Sequence, residues 1–161
     1  MHYLFLTMTL CSGLMSYSQH SYKIIASTIQ RDLIPEGIAV DQNTGFIYIS
    51  SIAHHKIVIL DSNRNHRDFI KEDQDGYLEG LGMKIDDKRK WIWAVSNTWG
   101  KMNTAQLHAF ELSSGKMKKH FTIKDTARHG FNDLVLMKKG KFILRILILV
   151  RSTRQTRFQK D

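Results

Sequence analysis

The sequence predicts an all-β chain built from a repeated unit, and two observations carry that expectation. The first is a two-strand phrase that returns. Its first copy is Pro35-Glu36-Gly37-Ile38-Ala39-Val40-Asp41, a turn at Asn43-Thr44-Gly45, and the apolar run Phe46–Ser51. The second is Glu79–Asp86, a charged turn at Asp87–Lys90, and Trp91–Ser96. The third opens at Asn132–Met137, turns at Lys138-Lys139-Gly140 and restarts at Lys141-Phe142-Ile143. Counted from Glu36, Glu79 and Asn132, the interval is about 40–50 residues, which marks the blades of a β-propeller. The second interval is lengthened by the polar insertion Asn97–Thr104. The second observation is that no segment after the N-terminal apolar run has a 3.6-residue hydrophobic period. The expected architecture is a partial propeller, about two and a half of six four-stranded blades.

Taken in order, residues 1–18 are expected to be a secretory signal. Tyr3–Cys11 is an apolar run of the right length, and Ser16-Tyr17-Ser18 offers small residues for cleavage, although the leading residues contain His2 and no Lys or Arg. A buried first strand is the alternative. The run is too short to span a bilayer. Cys11 is the single cysteine, so no disulfide framework can form. Export without disulfides suits the bacterial periplasm or exterior.

Residues 22–141 are expected to hold the blades. Tyr22–Ile29 has the β-branched density of a strand. The first blade then runs through Ile38–Asp41, Phe46–Ser51, Lys56–Asp61 and Asp68–Lys71. The second runs through Leu81–Asp86, Trp91–Asn97, Gln106–Leu112 and Met117–Ile123, its last hairpin turning at Ser113-Ser114-Gly115-Lys116. Residues 142–161 leave the pattern: Phe142–Val150 is apolar and interrupted by Arg145, and an Arg-rich stretch without turn residues follows. Codons can be chosen from Phe142 onward so that a shifted frame restores blade-like sequence. The tail is therefore expected to be out of frame or disordered, and the chain a fragment of a longer protein; a membrane-binding tail is the alternative.

The formal net charge of +9 does not by itself point to nucleic acid. Part of it is concentrated in Arg145, Arg151, Arg154, Arg157 and Lys160, and the rest lies in turns and strand edges. Lysines there guard exposed edges against aggregation.

Chemistry is expected where the innermost strands begin, because those positions converge on the axis of a propeller. They are Glu36, Glu79 and Asn132, with Asp133 adjacent. Carboxylate and amide oxygens are hard ligands suited to Ca²⁺ rather than to zinc. The plain alternative is that the Glu-Gly and Asn-Asp pairs only shape turns. His54-His55 is read as a surface loop, and Trp91 and Trp93 as inter-blade packing. Trp99, in the insertion, is a candidate cap over a channel mouth.

Glu36-Gly37 with its alternating strand and Gly45-Phe46-Ile47-Tyr48 resembles the opening blade of the senescence marker protein/gluconolactonase family. His129-Gly130-Phe131-Asn132-Asp133 resembles that family's Asn-Asp segment and the corresponding segment of paraoxonase and strictosidine synthase-like propellers. Ile38 and Leu134 depart from the gluconolactonase pattern, which has Pro and Gly there. The resemblance implies a six-bladed, calcium-dependent lactone or ester hydrolase acting on a small molecule. It implies metal ligation by Glu36 and Asn132, with Glu79 and Asp133 toward the substrate and the remaining ligands drawn from later blades. A fragment with so few ligands would be inactive alone. The other readings are a non-catalytic propeller that binds ligands or proteins, and a broken reading frame with no stable function.

Overall fold

The computed structural model describes residues 30–98, 104–124, 129–137 and 142–148. Over these residues the chain is all-β, apart from a 3₁₀ turn at Gln74–Gly76. Strands β1 (Pro35–Val40), β2 (Ile47–Ser51), β3 (Lys56–Leu60) and β4 (His66–Ile70) form one antiparallel meander. Strands β5 (Glu79–Asp86), β6 (Trp91–Asn97), β7 (Thr104–Glu111) and β8 (Met117–Lys124) form a second of the same order. Strands β9 (His129–Leu136) and β10 (Phe142–Ile148) form a two-stranded third. Phe142–Ile148, expected to fall in the tail, is thus a strand paired with β9, and the third sheet extends past the boundary expected after Lys141. The proposed signal, the strand at Tyr22–Ile29 and Trp99 lie outside the described residues.

Turn chemistry explains the meanders. Asp41 ends the first strand and accepts hydrogen bonds from the Asn43 N–H at 2.9 Å and the Thr44 hydroxyl at 2.8 Å. Gly45 then takes φ 72°, a left-handed value that glycine adopts without strain. Gly115 does the same at φ 69° in the β7–β8 hairpin. Asp86 ends β5 as Asp41 ends β1, and its carboxylate accepts from the Arg89 guanidinium at 2.7 Å. Both carboxyls are held below the usual range by the hydrogen bonds they accept, against the opposing effect of partial burial.

The sheets pack face to face. Cross-strand register puts Ala39, Tyr48 and Ile59 in one row of the first sheet. They share a core with Met83, Ile92, Ala94 and Phe110 of the second sheet, closed by Tyr77 from the linker. The opposite face of the second sheet presents Trp93, Val95 and Leu107 to Phe131 and Leu134 of β9. Trp91 and Trp93 lie on this face, as expected for inter-blade packing, with ring centroids 6.1 Å apart. One face of each sheet therefore covers the opposite face of the next. With innermost strands β1, β5 and β9 side by side, this is the arrangement of consecutive propeller blades.

Candidate functional site

The three innermost strands are not regular. The ladder shifts in β1 between Pro35 and Ile38, and in β5 between Gly80 and Met83. Opposite Arg145 and Ile146 it shifts in β9 too, where Asn132 is passed over between Phe131 and Asp133. Each inner strand thus carries a bulge, a device that bends a strand and re-aims its side chains. The bulged residues are Glu36-Gly37, Leu81-Gly82 and Asn132.

Two glycines bring these bulges together. A Cβ on Gly37 would collide with the Leu81 carbonyl oxygen of β5, and one on Gly82 would meet Asp133, 2.8 Å from its Cα in β9. Each glycine is the point where one inner strand touches the next. Buried polar stitches hold the contacts. The Gly37 N–H donates to Ser50 Oγ at 2.8 Å, and the Ser50 hydroxyl donates to the Leu81 carbonyl at 2.7 Å. Asn97, the last residue of β6, grips β9 with both ends of its amide. Its Nδ2 donates to the Phe131 carbonyl at 2.6 Å, and its Oδ1 accepts the Phe131 N–H at 2.8 Å.

The result is a cleft of about 270 Å³, lined by Glu36, Gly37 and Ile38 of β1, Gly82, Met83 and Lys84 of β5, and Asn132 and Asp133 of β9. Of the residues singled out in the sequence, Glu36, Asn132 and Asp133 meet here, although Glu36 and Asn132 are far apart in the chain. Glu79 does not line the cleft. It begins β5, half-buried, opposite Asn97 in the ladder. The reason is one of register. Matched by their bulges, Gly37 corresponds to Gly82 and Glu36 to Leu81, so the Glu-Gly pair at Glu79-Gly80 lies two residues before the equivalent position.

Lys84 was not marked by the sequence patterns. Its ammonium stands 3.9 Å from Asp133 Oδ1, an oxygen that also accepts the Leu134 N–H at 2.8 Å. The cleft therefore presents two carboxylates, an amide and one ammonium. Glu36 and Asn132 offer hard oxygens of the kind Ca²⁺ takes, while Asp133 already has a cationic neighbour. A calcium shell needs about six to eight oxygens, so these residues fit as part of a ligand set. Among the described residues no group of three or more His, Cys, Asp or Glu side chains is disposed to hold a metal.

His54 and His55 lie in the β2–β3 turn, away from the cleft. His54 Nε2 faces Asp32 at 2.8 Å and its Nδ1 faces Glu72 at 3.6 Å, while His55 pairs with Asp73 at 2.8 Å. Because the two nitrogens of His54 point at different carboxylates, the group ties loops together and has no common point for a metal.

No family model matches the chain, and no curated protein matches it. Among solved structures it is similar to a streptogramin B lyase, at 7% identity and a TM-score of 0.39 over 70% of this chain. The chain spans about half of that structure, 48% of its length. A likeness of this size carries no statement about activity.

Proposed function

We propose that the cleft between β1, β5 and β9 is part of a divalent-cation site in a calcium-dependent lactone or ester hydrolase of gluconolactonase type, in a protein exported by the segment at residues 1–18. The observation that supports this reading is the meeting of Glu36 and Asn132 at the bulges of two inner strands, in one cleft. Glu36 would give a carboxylate oxygen to the ion and Asn132 its amide oxygen. When bound, such an ion polarises an ester or lactone carbonyl and stabilises the charge that develops on its oxygen. The chain's own residues position the ligand: the glycine contacts fix the spacing of the strands, and Lys84 holds Asp133 beside the cleft. With two ligands of a larger set, the chain is expected to bind without appreciable turnover.

A second reading, a non-catalytic propeller that binds a small polar ligand, is favoured by the Lys84–Asp133 pair, which already puts a positive charge in the cleft. Calcium titration of the full chain by calorimetry separates the two. The hydrolase reading expects a dissociation constant on the order of 10⁻⁴–10⁻³ M, the range of weak extracellular sites. Glu36→Gln and Asn132→Ala should abolish binding and Glu79→Gln should leave it. No calcium heat, or heat that survives Glu36→Gln, would leave the binding-module reading standing alone.

A further inference from the structure

Lys84 is a cleft residue that neither turn chemistry nor packing calls for. Matched by their bulges, Gly37 corresponds to Gly82, and two residues on Ala39 corresponds to Lys84. Ala39 is buried in the core between the first and second sheets. Lys84 instead keeps 44% of its side chain in solvent and lines the cleft. Its ammonium is held there without being consumed. At 3.9 Å from Asp133 Oδ1 it is too distant for a hydrogen bond, and that oxygen already accepts the Leu134 N–H. Charge keeps the lysine at the cleft, and its three N–H donors meet no acceptor at hydrogen-bond distance among the described residues.

We propose that Lys84 selects the ligand of this cleft, a small monocarboxylate whose carboxylate sits on the Lys84 ammonium. The inference rests on the reading of the cleft as a small-molecule site. Charge decides the ligand class. Two carboxylates and one ammonium give the cleft a formal charge of −1. With a divalent ion on Glu36 and Asn132 the charge becomes +1, which one carboxylate balances and a phosphate dianion exceeds. Size agrees, because about 270 Å³ lies just below the usual range of small-molecule pockets. Ile38, 64% exposed at the rim, offers an apolar wall for the body of such a ligand, and the Asn132 amide can pair with a hydroxyl.

NMR titration of the full chain with lactate, followed at the amides of Gly82 and Asn132, tests this. Lactamide is the neutral control of the same shape, and each is added with and without calcium. Lactate should shift both amides, more tightly with calcium present, and lactamide at the same concentration should not. Lys84→Met should weaken lactate binding about fivefold or more, the factor expected of one charge contact at a half-exposed site. Lys84→Arg should restore it by keeping the charge and the reach. Both variants should keep the circular dichroism of the wild type, since the side chain is half-exposed. Equal shifts with lactamide overturn the inference, as does lactate binding that survives Lys84→Met. A wild type that lactate leaves unshifted overturns it too. Lactate binding that needs Lys84 in a chain that calcium does not perturb upholds the inference, and the metal reading then falls alone.

Discussion

Replacing Asn97 with alanine should release β9, and the cleft with it, before the rest of the fold is lost. The side chain is buried and makes two hydrogen bonds to one residue, Phe131, as a neighbouring strand would. Alanine leaves the Phe131 N–H and carbonyl unpaired in the interior. An unmet buried backbone group costs about 1–3 kcal/mol, so the pair costs about 2–6 kcal/mol. The other force holding β9 to the second sheet is burial of Phe131 and Leu134, each contributing roughly 1.5–3 kcal/mol. The substitution therefore removes an amount comparable to what remains. Amide exchange should show it most directly, with protection at Phe131–Leu136 falling at least tenfold at about 1.4 kcal/mol per decade, while amides of β2 and β3 change far less. Urea unfolding should show a lower midpoint. Unchanged exchange at Phe131 and a stability loss below about 0.5 kcal/mol would refute the view that this amide is what fastens β9.

Ser50→Ala should weaken the β1–β5 contact in the same manner, lowering unfolding free energy by about 2–4 kcal/mol in urea titration, since it strands the Gly37 N–H and the Leu81 carbonyl. Gly82→Ala should cost about 1–3 kcal/mol in the same assay, because its methyl group would lie 2.8 Å from the Asp133 Cα, a backbone atom that cannot swing aside as the carboxylate can. His108 should make the protein acid-sensitive. It is fully buried, its Nε2 lies 3.2 Å from the Asp75 carbonyl, and its Nδ1, where an added proton would go, has no partner. Burial, with the ring of His120 stacked 4.4 Å away, lowers its pKa from 6.5 to about 4. A histidine depressed in the folded state lends stability that is complete above its unfolded pKa and lost as pH falls from 6.5 toward 4, here at most about 3 kcal/mol. His108→Leu should flatten melting temperature between pH 7 and pH 4.5; an unchanged slope would assign the acid loss to the hydrogen-bonded carboxylates, which titrate lower.

Much of the fold was legible because strand alternation and turn residues are local signals. Asn43-Thr44-Gly45 and Ser113–Lys116 name their turns by chemistry, and both appear where expected, with Gly45 and Gly115 at positive φ. Trp91 and Trp93 gave away the inter-sheet face by their spacing of two. The third sheet was only half legible, since Phe142–Ile148 lacks the blade phrase and joins β9 through a ladder that apolar alternation alone does not announce.

The site was harder to read for a reason that concerns register. The visible repeat, Glu36-Gly37 against Glu79-Gly80, matches the letters, whereas the sheets match the bulges. A bulge adds a residue and so breaks the phase of alternation, but within a strand of six to eight residues one such break does not stand out from ordinary variation. It does leave one between copies: Gly37-Ile38-Ala39-Val40-Asp41 aligns with Gly82-Met83-Lys84-Ile85-Asp86 when the closing aspartates, which both cap turns, are superposed. That alignment puts a small residue at each inter-strand contact and places Lys84 at the position of Ala39. The substitution matters chemically, because a methyl group on β1 faces the first core while its counterpart on β5 carries an ammonium to Asp133 on β9. The same backbone position thus serves packing in one repeat and the cleft in the next. A site assembled this way depends on which copies of a repeat diverge, and in this chain the divergent positions are Glu36, Lys84 and the Asn132-Asp133 pair.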